Sequence, residues 1–192
     1  MNKKMLSKVL VASALVLTTL GSGVHSSYLG LDTHKVVKTA KAEENLSKND
    51  VWKGIRSSLT LSNIINGNGY ENIKVSYLDK KGQLIQFAST ANHDTFPDES
   101  KNYSKLTQIE IEKTNIPSED FNTRLNANKT WNTFTQKLKD AGLLKNGQKV
   151  TIQATNTTTS TTNSITGRVG ETLNDKNADP LVKRFINKIT IE

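Results

Sequence analysis

Apolar residues along positions 52–192 follow one design twice. Trp52, Ile55 and Leu59 recur at i, i+3 and i+7, and Trp131, Phe134 and Leu138 do the same, so each set predicts an amphipathic helix. Asn66-Gly67 and Asn146-Gly147 follow, and a glycine there predicts the helix stop or turn. The period then changes to two. Ile73, Val75 and Tyr77 alternate with polar neighbours, as do Val150, Ile152 and Ala154, which predicts half-buried strands. Lys80-Lys81-Gly82 turns the first strand back into Leu84–Ser89, and Ile165–Val169 returns in the second run. The threonine-rich Thr155–Thr162 fits a solvated edge hairpin better than a mucin-like stalk, because threonine is a strand former with a polar tip. Leu106–Glu112 and Lys188–Glu192 predict closing strands. Before the last of them, Asp179-Pro180 predicts a short helix, with the carboxylate as cap and proline at the first helical position.

The two runs align. A shift of 79 residues places Trp52 on Trp131, Ile55 on Phe134, Leu59 on Leu138 and Ile73 on Ile152. A shift of 80 places Leu106 on Ile186, Ile109 on Ile189 and Ile111 on Ile191. An internal duplication follows. The expected fold class is α+β: two tandem small units, 43–113 and 123–192, joined by a linker at 114–122. Each would pack one helix on a three- to four-stranded sheet, and paired faces could give them a shared core.

Residues 1–42 read as an export signal. Lys3, Lys4 and Lys8 precede the apolar run Val9–Leu20, which is too short to span a bilayer, and Ala40-Lys41-Ala42 presents the small-x-small cleavage pattern. The expected mature start is Glu43. No sorting motif or apolar tail is seen near the carboxyl end, so the product is expected to be secreted and extracellular, with no stable membrane anchor.

The leader changes what the charge means. The whole chain has 26 basic and 18 acidic residues, a balance that suggests nucleic acid. Removing the leader's six lysines and single aspartate leaves 20 basic and 17 acidic groups, net +3, so no nucleic-acid partner is expected. The surplus that remains is uneven. Residues 44–113 carry nine groups of each sign, whereas 123–192 carry eleven basic and five acidic, net +6. Lys183, Arg184 and Lys188 are the candidate partner-binding residues, facing an acidic partner from a segment whose Leu181, Val182, Phe185 and Ile186 supply the buried side. The competing account is a solvated helix face.

Catalytic equipment is thin. The one histidine after the leader, His93, has no second histidine or cysteine beside it in the sequence, so the usual zinc ligand sets are not offered. A hydrolase using His93 would lack the Gly-x-Ser-x-Gly elbow, and Gly67-Asn68-Gly69 lacks the rest of a phosphate loop. Asp175-x-Asn177-x-Asp179 imitates the start of a calcium loop, but Pro180 stands where glycine is required. No catalytic residue, metal site or cofactor is assigned, and the expectation is a protein that is not an enzyme.

The leader's ending, Val37-Lys38-Thr39-Ala40-Lys41-Ala42, and the order helix, strand, turn, strand, short helix, final strand resemble staphylococcal secreted exoproteins. The layout is similar to the β-grasp domain of superantigens and superantigen-like proteins, and to the repeat of the extracellular adherence protein and its small homologues. Phe185-Ile186-Asn187-Lys188-Ile189 loosely follows the Ile-x-x-Ile pattern of those families. The resemblance implies β-grasp-like units and a secreted virulence or immune-evasion factor that binds a host extracellular or neutrophil protein. It also leaves open a serine protease inhibitor or a salt-sensitive matrix or polyanion adhesin.

Overall fold

The computed structural model describes residues 46–97, 102–176 and 178–192, all within one compact unit, Ala40–Glu192. The export signal, its cleavage site and Asn177 of the calcium-like run lie outside the described residues. No described helix is long and apolar enough to cross a membrane.

Helix α1, Lys48–Leu61, starts at a capping box. The Ser47 hydroxyl accepts the Asp50 amide, and the Asp50 carboxylate accepts the Ser47 amide. Val51, Trp52, Ile55 and Leu59 face inward, fully buried. Helix α2, Ala127–Asp140, is capped by Asn126 and buries Trp131, Phe134 and Leu138. Both helices stop earlier than the Asn-Gly steps suggest. Asn63 (φ 60°) and Gly142 (φ 75°) take the left-handed conformation, and the Ile64 and Leu143 amides bond back to the Leu59 and Leu138 carbonyls, each at 2.9 Å. Gly67 and Gly147 instead make the next turn, leading into the sheet.

The sheet has six strands: β1 Glu71–Asp79, β2 Leu84–Thr90, β3 Tyr103–Lys113, β5 Lys149–Asn156, β6 Thr161–Arg168 and β8 Ile186–Ile191. Their order is β2-β1-β3-β8-β5-β6, antiparallel throughout. The protein is therefore α+β, with one helix and three main strands from each half. The halves meet edge to edge through β3 and β8, with α1 against α2 on one face, rather than face to face. Pairing β3 with β8 satisfies backbone groups that either edge would otherwise expose.

Two short strands, β4 Arg124–Leu125 and β7 Leu181–Val182, pair beside the sheet. No helix follows Asp179-Pro180. Only a single turn, Lys183–Phe185, separates β7 from β8. Six residues from Pro180 to Phe185 are too few for a stable helix, and pairing with β4 gives their backbone a partner. The threonine tract is a hairpin on the β6 edge, with Thr151 facing Thr166 (2.8 Å) and Thr155 facing Thr162 (3.2 Å) across it.

Register is matched between the halves. Ile109 pairs with Ile189 at the centre, flanked by Gln108–Thr190 on one side and Glu110–Lys188 on the other. The β1–β3 ladder slips between Ser76, opposite Gln108, and Tyr77, opposite Leu106. The β5–β8 ladder slips at the corresponding place, between Gln153, opposite Lys188, and Ala154, opposite Ile186. Ile73 therefore corresponds to Val150 and Val75 to Ile152, two residues away from the sequence alignment. The connection from helix to strand is two residues shorter in the second half, and an even offset keeps the same side chains facing the core.

The tryptophans are fully buried under their own helices but in different settings. Trp52 donates its indole N–H to the His93 carbonyl (2.8 Å) and meets Phe87 and Phe96 edge-on. Trp131 donates to the Val150 carbonyl (2.9 Å) and lies over Gly167, where an added Cβ would come within 2.8 Å of the ring. The opposite face of the sheet is polar, carrying Lys74, Ser76, Gln108, Glu110, Thr151, Gln153, Lys188 and Thr190.

Candidate functional site

The three basic residues singled out in the sequence go different ways. Lys183 does not point to solvent. It is 4% exposed, because β7 and the following turn direct its side chain beneath the C-terminal turn of α1. Its ammonium donates to Asn66 Oδ1 (2.5 Å), Asn63 Oδ1 (3.2 Å) and Asp120 Oδ1 (3.3 Å). An outward-facing Lys183 would require helical spacing from Pro180 onward, and the segment is a short strand followed by a single turn. Lys188 sits mid-sheet on the polar face, between Glu110 and Gln153. Arg184 alone reaches the surface near a distinctive group of side chains.

Around Lys183 lies a polar cluster that closes the junction between the halves. The Lys113 ammonium donates to the Ile64 and Lys183 carbonyls, both at 2.6 Å. Burial pushes Lys113 down from 10.5 to about 8; Glu71 and Asp120 oppose the shift, and the Lys183 charge adds to it. Glu71, 5% exposed, accepts the backbone amides of Asn66, Gly67 and Asn68 at 2.8–3.3 Å. The Asn66 amide also donates to Asp120, and that bond, with help from the Lys183 charge, holds the Asp120 carboxyl below its ordinary range.

Over this cluster runs the crossover segment, residues 114–122. Thr114, Ile116, Pro117 and Asp120 line a cleft with Tyr70 and Arg184. Its volume, about 10 Å³, has room for no more than one water molecule. The chemistry available here is therefore on the rim. Tyr70 is 52% exposed and Phe121 48%. The Arg184 guanidinium stacks over Phe121 at 3.6 Å and over Phe185 at 4.3 Å, and its Nε is buried without a hydrogen-bond partner among the described residues. Exposed aromatic rings beside a stacked arginine make up the composition that anchors protein interfaces.

His93 lies in the loop after β2 with its ring against Phe96 (5.0 Å between centroids). The neighbouring carboxylate, Asp94, pairs with Arg56 at 2.8 Å. In the calcium-like run, the Asp175 carbonyl accepts from the Asn128 amide (2.6 Å). Among the described residues no three His, Cys, Asp or Glu side chains gather where they could hold a metal ion.

Sequence reasoning missed Tyr70, Glu71, Lys113, Asp120 and Phe121. One signal was present: a lysine between Val182 and Phe185, on a strand-forming stretch, can alternate inward.

No curated protein matches the chain. Residues 47–191 match the family described as a domain of unknown function, DUF4888. That span takes in both helices and every described strand, and the chain belongs to this family.

Proposed function

We propose that this is a secreted, non-enzymatic protein that binds a host protein, acting as a virulence or immune-evasion factor, and that it docks its partner through the crossover rim. The observation that carries the reading is the exposed Tyr70 and Phe121 beside the ring-stacked Arg184. Such side chains bring large contact area at small entropic cost, and the stacked guanidinium holds the Phe121 ring in place at the rim. We further propose that the halves are tandem β-grasp-like units, 43–113 and 123–192, joined by the linker 114–122. The palindromic strand order and the matching register slips support this.

The test is capture from plasma and neutrophil lysate by mature protein, beside a Tyr70→Ser/Arg184→Ala variant. A stoichiometric complex that the variant fails to form supports the reading. Equal capture by both proteins contradicts docking at the rim, and turnover of a captured substrate contradicts the non-enzymatic role.

A further inference from the structure

The chain has three Asn-Gly steps: Asn66-Gly67, Asn68-Gly69 and Asn146-Gly147. Each is open to one spontaneous reaction, attack of the glycine nitrogen on the asparagine side-chain carbonyl, because glycine has no Cβ to hinder the approach. The nitrogen becomes a nucleophile only on losing its proton, and the side-chain amide must be free to depart. A hydrogen bond that holds the glycine N–H, or bonds that fix the asparagine side chain, therefore slow the step.

The fold protects two of the three. Gly67 donates its N–H to Glu71 Oε2 at 2.8 Å, and a carboxylate acceptor makes that proton harder to remove. The Asn66 side chain is held at both ends, with Oδ1 accepting the Lys183 ammonium (2.5 Å) and Nδ2 donating to Asp120. Gly147 donates its N–H to the Val169 carbonyl at 2.8 Å, which ties its nitrogen to the end of β6.

Asn68-Gly69 differs at each point. The residues on either side of the Gly69 amide are anchored: the Asn68 amide donates to Glu71 Oε2 (3.3 Å), and the Tyr70 amide donates to Asn68 Oδ1 (3.0 Å). Between them the Gly69 N–H has no acceptor among the described residues, and Asn68 Nδ2 has none either. Gly69 is exposed, so hydroxide can reach it. The bond from Tyr70 closes a ring that contains both the Asn68 side-chain carbonyl carbon and the Gly69 nitrogen. It also sets a donor on the oxygen that gains negative charge during attack.

We infer that Asn68 is a self-modification site, converted through the Gly69 nitrogen to aspartate and isoaspartate, while Asn66 and Asn146 persist in the folded protein. Hydroxide takes the Gly69 proton, and the nitrogen forms a bond to Asn68 Cγ. The Cγ–Nδ2 bond breaks, and Nδ2 leaves as ammonia with a proton from water. A second water opens the resulting succinimide ring at one carbonyl or the other. The net change is one water consumed and one ammonia released. Both products set a carboxylate in the wall of the crossover cleft, where Asn68 lies with Tyr70 and Glu71. Isoaspartate also lengthens the main chain by one atom just ahead of Tyr70. The rim thus changes charge and shape as the protein ages, and no partner is required for the reaction.

The test follows the three sites in one sample. Mature protein is incubated at pH 7.5 and 8.5, digested in mild acid, and mapped by mass spectrometry with fragment ions that separate Asn66 from Asn68. Asn68 should lose its amide at least about tenfold faster than Asn66 or Asn146, the effect on a barrier of one hydrogen bond of ordinary strength. Its conversion should quicken at the higher pH. In urea, where the folded hydrogen bonds are gone, the three sites should convert at comparable rates. Asn66 or Asn146 converting as fast as Asn68 in the folded protein would overturn the inference, and so would an Asn68 that persists when folded. A preference for Asn68 that survives unchanged in urea would assign it to local sequence and overturn the structural account.

Discussion

At one end of the helix pair a lysine reaches under the partner helix; at the other a tyrosine does. Lys183 and Tyr103 occupy corresponding positions, and both tie one half's strand to the other half's helix turn. The tyrosine end is satisfied by two neutral bonds, donated to Leu143 and accepted from the Leu106 amide at 2.9 Å. The lysine end needs Asn63, Asn66 and Asp120, and Asp120 comes from outside the repeated pattern, on the crossover. A buried ammonium is stable only where a counter-charge is brought to it. One end of the fold has thereby recruited the crossover as a structural part, and the Arg184 and Phe121 rim comes with it. The other end needed no such recruit, since the Tyr103 hydroxyl finds both its partners on the backbone.

The sharpest way to break this comparison is to remove the lysine. Lys183→Ala leaves Asp120 and the side-chain amides of Asn63 and Asn66 without their cation, and should cost about 3 kcal/mol in urea denaturation. A cost near zero would show that solvent reaches the cluster freely. Tyr103→Phe at the other end removes only a hydroxyl and should cost about 1–2 kcal/mol. Equal costs would erase the distinction between the ends.

Alkaline titration separates them by sign. Lys113 titrates at about 8 in the folded protein and 10.5 unfolded, so between these values the unfolded chain holds more protons and this group's contribution to stability rises with pH. Denaturation at pH 7.5 and 9.5 should show the native protein gaining about 1–2 kcal/mol relative to Lys113→Met. Burial raises the Tyr103 pKa above its ordinary 10.0, so its contribution is present below that value and falls as pH rises beyond it. Tyr103→Phe should abolish that fall. Identical pH profiles for the native protein and both variants would contradict the burial of these groups.

The helices and strands were legible because the periods of Trp52–Leu59, Trp131–Leu138 and Ile73–Tyr77 are local and strong. The sequence alignment placed Ile73 on Ile152, whereas the strand registers set Ile73 beside Ile111 as Val150 is set beside Ile191, two residues away. The alignment error at Ile73 came from a shorter connection that keeps every side chain on its face, so hydrophobicity could not detect it. The segment after Pro180 was misread because capping signals are local, whereas its conformation is decided by β4, more than fifty residues earlier. The site was mostly illegible. A buried lysine and a solvated one look alike in sequence, and only tertiary contact brings Asp120 and Asn66 to Lys183.

The measurement that tests the central claim most directly is hydrogen exchange on the mature protein with and without its captured partner. Docking at the crossover rim predicts slowed exchange on binding at Tyr70, across residues 114–122 and at Arg184, with the amides of Thr151, Gln153 and Lys188 on the polar sheet unchanged. Protection confined to that sheet, with the crossover exchanging at its free rate, would contradict it.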